Sequence, residues 1–110
     1  MIKIALRQDE MSAQFIIGGH AGYADPGHDI VCAAVSTVTH LLASMAEAWR
    51  TDIPTMHNLV SADDDDSGLV HIMINSGGDK VVNASVDCII DAYQQIAEQY
   101  PDRVTIQWIE

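Results

Sequence analysis

Apolar residues recur at every second position at the start of the chain. Ile2, Ile4 and Leu6 alternate with Lys3 and Arg7, which predicts a strand buried on one face only. Gln8-Asp9-Glu10 reads as a turn. Met11 to Gly19 reads as a second strand, strongest at Phe15-Ile16-Ile17, so the two predict a hairpin. From His20 to His28 the pattern breaks. Gly22, Pro26 and Gly27 stand there with Asp25, as in a loop. From Asp29 to about Thr51 the period becomes helical, with Val31, Val35, Val38, Leu42, Met45 and Trp49 forming one stripe. Asp29 precedes the apolar run and suits the N-cap. Pro54 lies beyond the helix and helps to stop it.

Met56 to Ala62 predicts a third strand and Leu69 to Asn75 a fourth. They are joined by Asp63-Asp64-Asp65-Asp66-Ser67-Gly68, whose adjacent carboxylates demand solvent. A second helix, about Asp79 to Gln99, carries Val82, Val86, Ile89, Tyr93 and Ile96 on one face and stops at Pro101. Val104, Ile106 and Trp108 close the chain as a fifth strand. The predicted order is β-β-α-β-β-α-β: an α+β fold with one mostly antiparallel sheet covered on one face by two helices. A length of 110 residues predicts a single domain over residues 1–110.

Charge narrows the function classes. Sixteen acids against five bases give a net charge of −11, which disfavours nucleic acid as a partner and suits a basic protein instead. No run approaches the roughly 20 apolar residues of a membrane span, so no membrane role is expected. The strand-like N-terminus does not resemble a signal peptide, and the cytoplasm is the expected compartment. The two cysteines, Cys32 and Cys88, are then expected as thiols.

The chemistry concentrates between positions 18 and 36. His20 closes a strand, Cys32 falls in the first turn of the predicted helix, and a glycine-containing loop can bring them together. Asp29, Cys32 and Ser36 share one small, polar helix face toward the edge of the apolar stripe. Free N–H groups at a helix N-terminus favour a thiolate, and those near Cys32 and Ala33 would suit an oxyanion. A histidine in reach can act as base and then acid. Two other readings stay open at this point: Cys32 as a packing residue, and a metal site from His20, His28, Cys32 and His40, though no usual zinc spacing matches. Cys88 reads as a packed thiol, and His40, His57 and His71 as surface or sheet residues. Met45, Met56 and Met73 read as core. The Asp63–Asp66 run lacks the spaced ligands and glycine of a calcium loop.

The stretch Gly19-His20-Ala21-Gly22, followed by Gly27-His28-Asp29-Ile30-Val31-Cys32-Ala33-Ala34-Val35-Ser36, resembles the signature of the ribosomal-processing cysteine proteases, the Prp family. Length and element order extend the resemblance over nearly the whole chain, while the specific match lies in its first third. The resemblance implies a small bacterial homodimeric cysteine endopeptidase that uses no cofactor. Its substrate would be a ribosomal protein precursor, from which it removes the N-terminal extension of a large-subunit protein in support of ribosome assembly. It implies Cys32 as nucleophile, His20 as general base and acid, and Asp29 and Ser36 as supporting residues, with Asp29 capping and orienting. It also implies that Ala21 to His28 order over substrate. The aspartate run departs from the family signature. A reading of another class is a non-enzymatic dimeric module that binds a basic ribosomal or assembly protein, with Cys32 merely packed.

Overall fold

The fold is taken from a computed structural model that describes residues 1–19, 26–53, 55–62 and 69–109, with the backbone alone for residues 26–29. Its elements are β1 (Ile2–Gln8), β2 (Ala13–Gly18), α1 (Pro26–Asp52), β3 (Leu59–Ala62), β4 (Val70–Ile74), α2 (Lys80–Gln99) and β5 (Val104–Trp108). The order is the one the periodicity predicts. The strands form one sheet in the order β3-β4-β2-β1-β5. All pairings are antiparallel except that of β1 with β5.

Alternation along the strands sets which face the helices cover. Ile2, Ile4, Leu6, Phe15, Ile17, Ile72 and Ile74 are buried, and their register aligns Leu6 with Phe15 and Ile4 with Ile17. Burial of each such side chain stabilises by roughly 1.5–3 kcal/mol, whereas a one-residue slip would put Lys3 and Arg7 inside. The helices press onto this face through Val31, Val35, Leu42 and Ala46 of α1 and Val82, Val86, Ile89, Ile90 and Tyr93 of α2. Val38, Met45 and Trp49 of the predicted stripe are only partly buried. Met56 is core as expected, but Met73 turns to the uncovered face of the sheet. There His71 meets the Gln14 side chain at 2.9 Å.

Three features differ from the expectation. First, α1 starts at Pro26 rather than after Asp29. Proline suits a first helical position, because its missing N–H and fixed φ cost nothing there. Residues 26–28 therefore belong to the helix and not to the loop. Asp29 is inside the helix and is not its cap. Second, β3 begins at Leu59, because Asn58 spends its side chain where a strand would use its backbone: it donates to the Ala46 carbonyl at 3.0 Å and accepts from the Asn75 N–H at 2.9 Å. Third, residues 30–52 of α1 are long and apolar enough to cross a bilayer, which the sequence reading did not expect; in this fold the helix lies on the sheet. The predicted aspartate turn, Asp63 to Ser67 with Gly68, lies outside the described residues.

Candidate active site

The helix period puts Cys32, Val35, Ser36, Thr39 and His40 of α1 along one flank, spaced by three, four, seven and eight residues from Cys32. That flank faces the end of the sheet where β1 begins and β2 stops. Between them lies a groove of about 340 Å³ lined by these five residues together with Ile2, Ile17, Gly19 and Val70. Cys32 is half-buried, with part of its surface packed on the core, and it is a free thiol. Ser36 borders the same groove, so two of the three residues expected on one face, Cys32 and Ser36, line it together. The side chain of Asp29 and all of His20 lie outside the described residues.

Gly19 brings the strand end into the groove. Its φ is +91°, and a Cβ there would collide with the Met1 carbonyl oxygen. Only glycine turns the chain at this point without strain. The described strand end that lines the groove with Cys32 is therefore Gly19, the residue that precedes His20 in sequence.

The early start of α1 alters one part of the expected chemistry. An α-helix leaves only its first four N–H groups without an internal partner. Here these positions are 26–29, and Pro26 has no N–H. Cys32 stands six residues beyond Pro26, in the second turn, so its own N–H and that of Ala33 belong to the helix ladder. They are not free oxyanion donors.

One residue extends the expectation and another departs from it. His40 is exposed, as expected, yet it lines the groove two turns along from Cys32. Its i+8 spacing from Cys32 was the signal that placed it on that flank. Cys88 is exposed rather than packed; it lies on the solvent side of the α2 stripe and borders a wider cleft between the helices, with Ala34, Thr37, Ala92 and Ile96. That cleft, about 560 Å³ in volume, is larger than the Cys32 groove but contains no histidine and no strand end. Among the described residues, no group of three His, Cys, Asp or Glu side chains is arranged to hold a metal ion.

Below the groove, Thr39 donates a 2.8 Å hydrogen bond to the Val35 carbonyl, and its Oγ1 also lies 2.8 Å from the Tyr93 hydroxyl. Tyr93 is fully buried and packs against Phe15 with ring centroids 6.2 Å apart. Burial pushes its phenol up to about 12, against the opposing pull of the Thr39 bond, so at neutral pH it remains a donor.

The family model described as cysteine protease Prp matches residues 1–105. No curated protein matches the chain. Three solved structures share its fold. The essential ribosomal processing protease Prp from S. aureus, in complex with a substrate peptide, superposes with a TM-score of 0.77 at 23% identity, covering 99% of this chain and 100% of that one. The same protein with a covalently linked product peptide gives 0.76 at 24%, with the same coverage. SMU.848 from Streptococcus mutans gives 0.72 at 25%, covering 99% and 94%.

Proposed function

The chain belongs to the Prp family of cysteine proteases, and from that premise we propose that it is a cysteine endopeptidase acting through a Cys32/His20 dyad. Its substrate is the N-terminal extension of a large-subunit ribosomal protein precursor. The observation that carries this reading is that Cys32 and Gly19, the residue before His20, line one groove. His20 takes the Cys32 proton, and the thiolate attacks the scissile carbonyl. His20 then protonates the leaving amine, and water releases the acyl group. Asp29 and Ser36 support the pair from the same helix. With Asp29 inside the helix, capping is no longer its part; orienting is. A chain with sixteen acids and five bases draws a basic precursor. Following the family pattern, the protein acts as a cytoplasmic homodimer.

The exposure of Cys88 dictates how the test is run. Alkylation by iodoacetamide is followed against pH in Cys88→Ser protein, so that only Cys32 reports, and again with His20→Ala added. Fast reaction at neutral pH that slows about tenfold or more without His20 is the expected result. In the same background, Cys32→Ala abolishes cleavage of a peptide spanning the precursor extension and leaves the fold intact. A thiol inert in both proteins, with no cleavage, overturns the protease reading in favour of a binding module. One zinc per chain after gentle purification overturns it in favour of a metal site.

A further inference from the structure

The groove beside Cys32 has apolar walls, Ile2, Ile17, Val35 and Val70, and its polar side chains besides the thiol are Ser36, Thr39 and His40. An extended peptide entering it brings backbone N–H and C=O groups that lose water and need partners. Thr39 sits at the boundary of groove and core, half-buried. A threonine hydroxyl has one hydrogen and two lone pairs. The hydrogen is committed to the Val35 carbonyl at 2.8 Å. The 2.8 Å contact between Thr39 Oγ1 and the Tyr93 hydroxyl is then made by the tyrosine hydrogen. The opposite assignment would set the Thr39 and Val35 oxygens lone pair to lone pair, and would leave the hydrogen of a fully buried phenol without an acceptor. The direction of both bonds follows: Tyr93 donates to Thr39, and Thr39 donates to Val35. One lone pair of Thr39 remains, on an oxygen whose position the two bonds fix, in a residue that lines the groove.

We propose that Thr39 is a substrate-positioning residue whose Oγ1 accepts a hydrogen bond from a backbone N–H of the peptide in the Cys32 groove, held in place for that task by Tyr93. The proposal rests on the protease reading for the identity of the groove, but it concerns binding and not the chemical step. It requires an acceptor at position 39, which serine also supplies and valine does not. Tyr93 reaches the peptide only through Thr39.

The test measures binding and cleavage separately. In full-length Cys32→Ala protein, affinity is measured for a fluorescent peptide spanning the precursor cleavage region, and for a set of the same peptide N-methylated at one backbone nitrogen at a time. One position of methylation weakens binding about tenfold. In the protein that also carries Thr39→Val, binding of the parent peptide is weaker by a similar factor, and methylation at that position costs nothing more. Thr39→Ser restores both the affinity and the sensitivity. In the active chain, Thr39→Val raises KM about tenfold with kcat within about twofold, the pattern of an interaction made equally in ground and transition states. Tyr93→Phe raises KM by a smaller factor. Thermal unfolding of each variant accompanies these measurements, and Thr39→Ala takes the place of Thr39→Val if valine prevents folding. Methylation costs that are equal with and without the Thr39 hydroxyl overturn the proposal, as does unchanged KM in Thr39→Val. If the unsubstituted chain cleaves while these results fail, the positioning role falls and the protease reading stands. If the unsubstituted chain binds the peptide without cleaving it, the protease reading falls and the binding comparison still decides on Thr39. If no peptide binds, both fall.

Discussion

At the end of the sheet where β1 stops and β2 begins, side chains tie down each loop; at the other end, where β1 begins and β2 stops, a groove is left open. At the tied end, the Asp9 carboxylate accepts from the N–H groups of Met11 and Ser12 at 2.8 and 2.9 Å. The Glu10 carbonyl accepts from Asn83 at 2.9 Å and from Ser76 at 3.3 Å. Asp79 caps α2 by accepting from Val81 and Val82, both at 3.0 Å. Buried Asn58 joins α1 to the end of β4. At the open end the groove walls are apolar, and the chain turns through Gly19 at positive φ. The difference separates two tasks. Bonds that satisfy every local donor hold a loop in one place, while a groove meant to take a peptide leaves its partners to be supplied on binding.

The largest effect on this contrast is expected from Asn58→Ala. The substitution strands the Asn75 N–H and removes the side-chain donor that ties the Ala46 carbonyl of α1 to this end, and an unsatisfied buried group costs roughly 1–3 kcal/mol. Denaturant unfolding should show a loss of about 3 kcal/mol. Cys32 alkylation at the far end of the sheet should keep its wild-type rate. A large change in that rate, with the protein still folded, would mean that the two ends are coupled rather than separate.

Gly19→Ala addresses the open end. A side chain at positive φ strains the backbone, and its Cβ would meet the Met1 carbonyl, so a stability loss of about 2 kcal/mol is expected. Unlike Asn58→Ala, it should also slow Cys32 alkylation and peptide cleavage, because the strand end must shift. A variant that loses stability but alkylates and cleaves normally would show that Gly19 serves folding alone.

The two ends were not equally legible in the sequence. Element order and the covered face of the sheet follow from period-2 and period-3.6 patterns, which record burial directly: Ile4, Leu6, Phe15, Val31 and Val86 are core both by pattern and in the fold. Cys32 and Ser36 on one flank follow from helix spacing in the same way. What escaped were choices made by single atoms. Asn58 reads as one polar residue in a strand, since nothing local tells that its amide will replace a ladder bond to a residue 17 positions away. The start of α1 was misplaced because Asp29 is a good cap residue and Pro26 a good first residue, and local preference cannot rank the two. That error also put the free N–H groups beside Cys32, when they lie one turn upstream. Thr39 and His40 reached the site only by continuing down the Cys32 flank, past the stretch that carries the signature.

The smallest effect belongs to Asp9, and its sign is fixed by its partners. The N–H groups of Met11 and Ser12 hold its carboxyl below the ordinary 3.8, with the Arg7 guanidinium, 3.4 Å away, adding a minor pull in the same direction. A carboxyl whose value is depressed in the folded state stabilises that state when ionised. The contribution is complete above 3.8 and is lost as the pH falls through the lower folded value. Asp9→Ser keeps a neutral acceptor for the turn and removes the charge. Thermal midpoints of the two proteins should therefore run parallel from neutral pH down to the ordinary carboxylate range and converge below it. Because the side chain is exposed, solvent screening keeps the gap small, and added salt should narrow it only through Arg7. A gap that stays constant into strong acid would show that the Asp9 turn is held by its shape and not by its charge.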